Sequence, residues 1–560
     1  MAPENDTPTV SLTVSLTVNG TQVTVPKGTP VIEAARQAGF AVPHYCYHPG
    51  LSIAGNCRMC LVKIEKMPKL VTSCTTPAGD GMVVETEHEE VRKAVAGVEE
   101  FLLANHPLDC PICDQAGECR LQQYSFKHGN AAGRFREERL KFKKGVDVGR
   151  HIILDSERCI ICTRCVRFSD EISKSGELGV FQRGLYNEIG IFPGKALDNP
   201  YSGNNVDICP VGALTLKEFR FRKRVWYIRD VPSVCGTCAT GCNVNVGIAE
   251  NRVWRLTPRE NREVNGWWMC DEGRLSYQSL RSEDRLQLPE ARKGDETGPV
   301  GFDEAVAGVA ALLKGAAQGG AAVVASGSLT VEDFWMLRKL GGSVPGLRVV
   351  VPERLRGEDD GFLIRADRTA NRAGAAALGL DTDAGGSSSS ALMQDAASGK
   401  VSVLIALGEE IGSLPGGDAA LRKLGESGRL VAATAWKSAT SDAAAVRIPI
   451  AAWSEFEGTY VSCRGRAQRV RRAVTPRISS LPAWQFLGRI LSELNPEAPP
   501  HLPERAAQVL REVAEAVPAF EGITWTTLSG SGMQLMPGEG VPEPGSTPRS
   551  VALPAWAGGA

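Results

Sequence analysis

The distribution of cysteines constrains this chain more than any other feature of its sequence. Fifteen of the 16 cysteines lie between Cys46 and Cys270, and the rest of the chain holds only Cys463. The first ten residues are acidic and lack a basic segment followed by an apolar one, so we expect no export signal and a reducing, cytoplasmic compartment. In such a compartment, thiols at short fixed spacings are better explained by metal binding than by disulfides. The N-terminal half is therefore predicted to be loaded with metal.

Composition limits the other functional classes. With 43% apolar and 23% charged residues among 560, the chain is long enough for several domains with hydrophobic cores. Lysine and arginine total 63 against 64 acidic residues, so charge does not favour nucleic acid as a partner. No run of 18 apolar residues predicts a membrane-spanning helix, and no GxGxxG or GxxxxGK motif supports nucleotide binding. We expect a soluble protein.

The first ligand set consists of Cys46, Cys57, Cys60 and Cys74. One cysteine, a close pair and a remote fourth are how a β-grasp ferredoxin holds a [2Fe-2S] cluster. Plant-type ferredoxins space the first two cysteines more tightly, so the match is to a variant. A structural zinc site is the alternative, because zinc also accepts four thiolates.

The second set consists of His106, Cys110, Cys113 and Cys119. Three thiolates and an imidazole suit zinc, but the position between two iron–sulfur sets favours a [4Fe-4S] cluster. A neutral His106 leaves such a cluster one unit less negative, which raises its potential, and its other ring nitrogen needs a hydrogen-bond partner. The remaining histidines have no cysteines at such a spacing and are expected to be surface or packing residues. They are His44, His48, His88, His128 and His151.

The third set, Cys159, Cys162, Cys165 and Cys209, is the most specific. Three thiolates at three-residue spacing bind three corners of a [4Fe-4S] cubane, and the cysteine of a Cys-Pro pair binds the fourth. Tetrahedral zinc rarely uses this geometry. Two-cluster ferredoxins place a second cysteine run before the Cys-Pro. Here Asn199, Ser202 and Asn205 occupy those positions, so only one cubane is predicted.

The fourth set, Cys235, Cys238, Cys242 and Cys270, again fits a [4Fe-4S] cubane, with zinc as the alternative. Together the four sets use all fifteen cysteines and one histidine.

Local patterns predict the framework around these sets. Residues 8–26 alternate β-branched and polar residues around Asn19-Gly20, which indicates a hairpin, and Thr29 as N-cap with Pro30 in the first turn frames a helix over 31–38. This order is typical of a ubiquitin-like β-grasp. Apolar residues at helical spacing predict a helix over 89–104 that leads to His106.

The C-terminal half has a different pattern. A helical segment at 304–313 alternates with strand-like segments at 322–325, 347–351 and 401–406, which predicts an open α/β layer. Residues 385–390 are predicted to be a flexible loop. The Pro- and Gly-rich tail over 530–560 is expected to be disordered or to lie as an extended arm over a partner.

Taken in this order, the four sets resemble those of the large iron–sulfur subunit of bacterial respiratory complex I, the NADH:quinone oxidoreductase 75 kDa or G-type subunit. The resemblance covers roughly residues 8–275, and Glu457-Gly458-Thr459 with Gly465-Arg466 is similar to an EGT…GR segment of the molybdopterin oxidoreductase-like part of that family.

The resemblance implies an α+β multidomain fold. Its predicted parts are a β-grasp [2Fe-2S] ferredoxin-like domain (1–88), a His-Cys₃ [4Fe-4S] segment (89–144), a ferredoxin-like [4Fe-4S] domain (145–224), a [4Fe-4S] domain of molybdopterin-oxidoreductase type (225–285), a shortened, degenerate molybdopterin-oxidoreductase-like α/β domain (286–529) and the tail (530–560).

The resemblance also implies a function. We name each of the four ligand sets by its first residue. One [2Fe-2S] and three [4Fe-4S] clusters would carry electrons from flavin-bearing subunits toward quinone, and the electrons would pass from the Cys46 set through the His106 set to the Cys159 set. The Cys235 set is similar to an extra cluster away from the main path that only some bacterial members carry. Implied partners are the flavin- and NADH-binding subunit, the small [2Fe-2S] subunit and the quinone-side subunits, at the cytoplasmic face of the inner membrane without insertion into it. No catalytic residue, NADH site or quinone site is expected in this chain.

Three other classes share parts of this pattern. Iron-only hydrogenases continue into a cysteine-rich catalytic domain, which is missing here. NAD-linked formate dehydrogenases carry a molybdopterin domain and usually a lysine where this chain has Glu272, two residues after Cys270. No cysteine lies between 271 and 462, and Cys463 is expected to be a small buried hydrophobe, so no molybdopterin is predicted. A purely structural metal protein is the third class.

Basic residues concentrate between 127 and 150. They outnumber Glu137, Glu138 and Asp147 and are expected to offset the negative clusters or to meet an acidic partner surface, or else to form a solvated loop. They are Lys127, Arg134, Arg136, Arg139, Lys141, Lys143, Lys144 and Arg150.

Overall fold

The computed structural model describes residues 13–294, 296–476, 480–497 and 503–535. The chain divides into two compact units, unit 1 (Met1–Tyr227) and unit 2 (Ile228–Ala560). The first residues of the predicted hairpin and the tail beyond residue 535 lie outside the described residues.

The strands and helices of unit 1 surround three of the four ligand sets. The strands are β1 Thr13–Val18, β2 Thr21–Pro26, β3 Leu61–Ile64, β4 Val71–Thr72, β5 Val83–Glu85, β6 Val146–Asp147, β7 Ile152–Leu154, β8 Leu178–Phe181, β9 Glu188–Ile191 and β10 Leu214–Leu216. The α-helices are α1 Val31–Gln37, α2 Glu89–Ala104, α3 Arg120–His128, α4 Arg164–Glu171 and α5 Asn204–Asp207, with 3₁₀ turns at Ser156–Arg158 and Val225–Tyr227.

The first sheet has the strand order β2-β1-β5-β3-β4. Strand β1 pairs antiparallel with β2 and parallel with β5, and the apolar side of α1 packs into the same core. Asn19 and Gly20 both have positive φ, 45° and 83°, as a type I′ hairpin turn requires. This is the β-grasp arrangement predicted for the start of the chain. Helix α1 begins at Val31 as predicted and ends one residue earlier than predicted, at Gln37, and its N-cap is Pro30 rather than Thr29.

Two small sheets hold the rest of unit 1. The strands β10, β7 and β6 form one sheet, and β8 pairs with β9 in the other. They share an apolar core with α4 that contains Leu154, Leu178 and Ile189. Helix α2 has the predicted bounds and packs its buried residues Val91 and Val95 against the loop that carries Cys46.

The elements of unit 2 begin with a meander and continue as an α/β layer. The strands are β11 Arg229–Val234, β12 Asn243–Ala249, β13 Arg252–Pro258, β14 Glu290–Lys293, β15 Glu296–Pro299, β16 Ala321–Ala325, β17 Arg348–Val350, β18 Val403–Leu407, β19 Leu430–Thr434, β20 Val446–Pro449, β21 Gly458–Val461, β22 Arg466–Val470 and β23 Met533–Gln534. The α-helices are α6 Asp271–Leu275, α7 Phe302–Lys314, α8 Val331–Ser343, α9 Arg372–Ala377, α10 Ser387–Ala397, α11 Gly417–Glu426, α12 Ala439–Ala443, α13 Ala483–Leu494 and α14 Ala506–Ala516. Short 3₁₀ helices lie at Ser276–Arg281, Ala384–Gly386, Ile411–Ser413 and Pro518–Phe520.

A seven-stranded sheet of order β15-β14-β20-β19-β18-β16-β17 forms the centre of unit 2. Strands β20 to β17 in this order are parallel, and β14 and β15 form an antiparallel edge. Helices α7, α8, α13 and α14 cover one face and α10 and α11 cover the other, so the strands are buried on both sides. The predicted open α/β layer is therefore present.

The predicted loop over residues 385–390 is wrong, because α10 begins at Ser387. Asp383 explains the difference. Its carboxylate accepts hydrogen bonds from the backbone N–H groups of Ser388 (2.8 Å) and Ser389 (3.1 Å), which satisfies donors in the first turn of the helix. Gly385 and Gly386, both with positive φ, turn the chain between Asp383 and the helix. The serine run therefore starts a helix instead of a loop.

Candidate metal centres

The Cys46 set lies on two loops of the β-grasp sheet, before β3 and after β4. The Cys46 N–H donates to Cys57 Sγ at 3.5 Å, and hydrogen bonds from the paired thiols lower the pKa of Cys46 to about 5 and that of Cys60 to about 7. Cys60, Cys46 and Cys57 all lie within electrostatic range of Cys74. Thiolate is the form that binds metal. The four sulfurs thus come together with two of them readily ionised.

The His106 set surrounds a large cavity of unit 1. His106 follows α2, and Cys119 is the N-cap of α3. Both line a cavity of about 1110 Å³ together with Cys110 and Cys113. Burial lowers the pKa of His106 to about 4, so its imidazole is neutral at pH 7, the state that binds metal.

Gly212 leaves the room that this site needs. A Cβ at Gly212 would lie 2.3 Å from Cys113 Sγ and 3.1 Å from Gln115 Cβ. Cys110 is exposed, whereas Cys113 and Cys119 are buried. Among the described residues, no hydrogen bond to a ring nitrogen of His106 is present, so the expected partner of its second nitrogen is not found there.

The Cys159 set lies in the apolar core between β7, β9 and β10. Ile161 and Thr163 have positive φ, 50° and 60°, which turns the loop so that Cys159, Cys162 and Cys165 line one space with Cys209. The free space is about 20 Å³, so a four-iron centre is accommodated only if the ligand loops spread. Burial raises the pKa of all four thiols, that of Cys162 to about 11. Binding of metal must therefore displace protons.

Hydrogen-bonded polar side chains stand where a second cubane would need cysteines. Asn205 Nδ2 donates to the Ser202 carbonyl at 3.0 Å, and Asn199 Nδ2 donates to the Glu177 carboxylate at 3.1 Å. Ser202 and Asn205 are fully buried. The single cubane of this domain stays a prediction.

The Cys235 set lies at the end of β11 and at the start of α6. All four thiols are buried, and burial raises the pKa of Cys235 to about 11. The sulfur of Cys270 accepts the Gly273 N–H at 3.3 Å. A Cβ at Gly273 would lie 3.1 Å from Cys235 Sγ and 3.4 Å from Cys270 Sγ, so glycine keeps the space beside both sulfurs free.

Charged side chains accompany the sets. Glu272, at the position where formate dehydrogenases carry lysine, pairs with Arg368 at 2.9 Å. At the His106 site, Arg158 pairs with Asp109 at 3.0 Å, and Arg139 donates to the His106 carbonyl. Arg134 pairs with Glu100 at 2.8 Å. The basic segment over 127–150 is thus partly fixed around the His106 site. Charge alone does not indicate which basic residues of this segment form ion pairs or hydrogen bonds.

Sequence reasoning missed Arg164 and Arg167, which lie on α4 among the ligands of the Cys159 set. Arg167 Nη2 donates to the carbonyls of Cys46 (2.6 Å) and Cys162 (3.4 Å). The available signal was that each arginine lies two residues after a predicted ligand, Arg164 after Cys162 and Arg167 after Cys165. The histidines without a cysteine frame include two buried ones, His44 and His48, whose pKa burial lowers to about 4 and about 3.

The cleft at the carboxyl ends of the parallel strands in unit 2 does not fit molybdopterin. It has a volume of about 360 Å³ and is lined by small and aromatic residues, including Ser326, Gly408, Trp436, Trp453 and Tyr460. None of the described residues that line it carries a charge or a thiol, although an anionic cofactor requires cationic partners. The serine hydroxyls of the lining are the candidate metal ligands that it offers.

The described residues contain neither a site for a single metal ion nor a membrane-spanning helix. No group of three or more His, Cys, Asp or Glu side chains among them is arranged around one point so as to hold a single ion. In a [4Fe-4S] cluster each ligand binds its own iron atom, and in a [2Fe-2S] cluster two ligands bind each iron, so the four ligand atoms of a set need not converge on one point. None of the helices in the described ranges has the length and apolarity needed to span a bilayer.

Five family models match parts of the chain. They are a 2Fe-2S iron-sulfur cluster binding domain (residues 11–89), the NADH-ubiquinone oxidoreductase-G iron-sulfur binding region (96–134), the NADH-quinone oxidoreductase subunit 3 ferredoxin-like domain (149–215), the molybdopterin oxidoreductase Fe4S4 domain (228–282) and molybdopterin oxidoreductase (354–493). The predicted α+β multidomain fold class is confirmed, as is the presence of regions that match 2Fe-2S and 4Fe-4S binding domains.

Curated relatives carry names from one respiratory complex. The chain is 41% identical over 327 residues to the G-type subunit of NADH-quinone oxidoreductase from Rickettsia felis, covering 58% of this chain and 48% of the relative. It is 40% identical over 329 residues to the G-type subunit from Streptomyces coelicolor (58% and 39%). It is 40% identical over 359 residues to the mitochondrial NADH-ubiquinone oxidoreductase 78 kDa subunit of Candida albicans (63% and 49%).

One solved structure, described as an NAD+-reducing [NiFe]-hydrogenase in the H2-reduced state, is 29% identical over 38% of this chain and 91% of that chain. Its TM-score of 0.34 is too low to support any conclusion. The chain spans about half or less of the length of the curated relatives above. The resemblance to the large iron–sulfur subunit of complex I, predicted from the four ligand sets, is confirmed by these relatives.

Proposed function

We propose that the chain is an electron-relay subunit of an NADH:quinone oxidoreductase. Its ligands are the Cys46 set for a [2Fe-2S] cluster and the His106, Cys159 and Cys235 sets for three [4Fe-4S] clusters. Such clusters supply one-electron transfer over a wide range of potentials. The observation that carries the proposal is that each set, although spread over as many as 51 positions in the sequence, comes together within one folded unit.

The residues of unit 1 keep the three sets close to one another. Arg167 bridges the carbonyls of Cys46 and Cys162, and Asn56 Nδ2 donates to the Ile161 carbonyl at 3.3 Å. On the other side of the Cys159 set, the Arg120 N–H, next to Cys119, donates to the carbonyl of Pro210 at 3.0 Å. These contacts support the spatial order Cys46 set, Cys159 set, His106 set, instead of the order implied by the resemblance.

The subunit depends on partners for its activity. Since a metal-cluster chain supplies no hydride chemistry, NADH oxidation requires a flavin in another subunit, and we propose the flavin- and NADH-binding, small [2Fe-2S] and quinone-side subunits as partners. We also propose a peripheral position at the cytoplasmic face of the inner membrane, supported by the names of the relatives. The division into six segments predicted from the sequence belongs to the same proposal.

Metal analysis and low-temperature EPR of the anaerobically purified chain test this proposal. We expect about fourteen iron atoms per chain, two from a [2Fe-2S] cluster and four from each cubane, with labile sulfide and without molybdenum. Stoichiometric zinc with little iron would contradict the relay and support a structural metal protein. Molybdenum together with pterin would contradict the assignment of unit 2 and favour a formate dehydrogenase.

A further inference from the structure

Arg164 is a buried cation between the ligand loops of two predicted metal centres. It is the first residue of α4 and is only 7% exposed. Its guanidinium donates to the carbonyls of Ile208 (3.1 Å) and Tyr47. Ile208 precedes Cys209, and Tyr47 follows Cys46, so the guanidinium is fixed against the ligand loops of both sets.

No described carboxylate forms an ion pair with Arg164, and its Nε has no hydrogen-bond partner among the described residues. The charged and titratable groups described near it are the thiols of Cys162 and Cys209, the guanidiniums of Arg120 and Arg167 and the imidazoles of His44 and His48, whose pKa values burial lowers to about 4 and about 3. A guanidinium stays protonated in proteins, and burial of an unpaired charge costs several kcal/mol. The only groups here that can offset this cost are the thiols once they are ionised.

The His106 site offers a contrast within the same unit. Arg158 is also buried and faces Cys113, but it pairs with Asp109 at 3.0 Å and with Asp155 at 3.4 Å. Its charge is therefore already balanced by carboxylates. The charge of Arg164 has no such carboxylate partner among the described residues, so it can act on the metal centre.

We infer that Arg164 is the counter-charge of the centre held by Cys159, Cys162, Cys165 and Cys209, and that it raises the reduction potential of this centre. The inference rests on the proposed function, because it requires a centre that accepts an electron. Reduction adds one electron from the preceding donor and makes the centre one unit more negative, while no bond forms or breaks and no proton moves. A cation held nearby stabilises the reduced state more than the oxidised state. Arg167 adds a weaker effect from the side of Cys46.

An EPR-monitored redox titration of the full, anaerobically purified chain tests the role of Arg164. Arg164→Gln keeps a hydrogen-bond donor but removes the charge, and should lower the equilibrium constant for reduction of this centre about tenfold, which is about 59 mV for one electron. Arg164→Lys keeps the charge and should remain within about threefold of the wild type. The centres of the His106 and Cys235 sets should keep their potentials in both variants.

Arg292→Gln is the matched control. Arg292 also donates to two backbone carbonyls, those of Gly425 (2.9 Å) and Ala443 (3.2 Å), but it belongs to the α/β unit and faces no proposed ligand set. This variant should leave all reduction potentials unchanged. A lower potential of the Cys159 centre in Arg164→Gln then cannot be attributed to the loss of hydrogen bonds between an arginine and backbone carbonyls.

An unchanged potential of the Cys159 centre in Arg164→Gln would overturn the inference. If this variant fails to retain the centre, Arg164→Met, which fills a similar volume without a charge, decides. A lower potential of the Cys159 centre then supports the inference, and an unchanged one overturns it. The two proposals remain distinguishable, because a wild-type chain that contains zinc and gives no cubane signal defeats both, whereas a cubane signal that is insensitive to Arg164 defeats only this one.

Discussion

At the scale of single residues, His106 differs from every other ligand in charge. Burial keeps its imidazole neutral at pH 7, and Arg158 and Arg139 nearby add to the lowering of its pKa. The three thiols of the set face the same cavity. A centre with this donor set carries one negative charge less than a four-cysteine centre, which favours its reduced form.

Substitution of His106 tests its assignment as a ligand. His106→Cys should retain a cubane with a lower potential, because a thiolate adds one negative charge to the centre. His106→Ala should weaken or lose the same EPR signal, as no described side chain replaces the imidazole. Redox titration followed by EPR gives both results. An alanine variant with unchanged signal and potential would show that His106 is not a ligand.

Glu332 is a second residue whose environment has a measurable consequence. It is fully buried on α8, accepts hydrogen bonds from the Thr459 N–H (2.8 Å) and Oγ1 (2.9 Å), and burial raises its pKa to about 7. Because this pKa lies above the ordinary value, the carboxyl group contributes stability that is full below about pH 4.5 and is lost as the pH rises through about 7.

Glu332→Gln should therefore flatten the pH dependence of stability in unit 2. Between pH 5 and pH 8, the unfolding midpoint of the wild type should fall more than that of the variant, since glutamine cannot ionise and can still accept from Thr459. Circular dichroism at both pH values measures this. The matched control is Glu426→Gln, an exposed glutamate on α11, which should leave the difference unchanged. Equal pH dependence in Glu332→Gln and the wild type would contradict the raised pKa.

At the scale of elements, the turn after Cys209 shapes the His106 site. Gly212→Ala places a methyl group 2.3 Å from Cys113 Sγ. Because Gly212 does not have a positive φ, the expected effect is steric and local. The variant should lose or strongly weaken the His106 cubane while the other signals persist. Gly97→Ala on α2, where nothing lies within 4 Å of the added carbon, should keep all clusters and gain helix stability of up to about 1 kcal/mol. Quantitative EPR of both variants compares them.

The elements that sequence predicted well are those determined by neighbouring residues. Asn19-Gly20 fixes the hairpin through its own backbone preferences, and α2 follows from apolar residues at helical spacing. The loop predicted over 385–390 failed because Asp383, outside the serine run, caps α10. Signals carried by side chains several residues away were therefore missed.

At the scale of the whole molecule, cysteine spacing predicts ligand sets but not the surroundings of the ligands. Spacing alone grouped the cysteines, because cluster geometry restricts it. By contrast, Arg164 reaches Tyr47 across 117 positions, and Arg285 forms a buried ion pair with Glu455 across 170. Such contacts depend on how distant segments pack, which no local pattern encodes. The ligand assignments themselves remain predictions.

The division into two units leads to a final prediction. Three ligand sets lie in unit 1 and the Cys235 set lies in unit 2, so the loss of one ligand in unit 2 should not disturb the centres of unit 1. Cys270→Ser removes a buried sulfur at the start of α6, and the iron content should fall by about four atoms per chain. The EPR signals and potentials of the other three centres should persist, because no ligand is shared between sets. Cys463→Ser is the control, since Cys463 belongs to no set and should leave the iron content unchanged. A loss of iron well beyond four atoms with Cys270→Ser, or any loss with Cys463→Ser, would contradict four independent ligand sets.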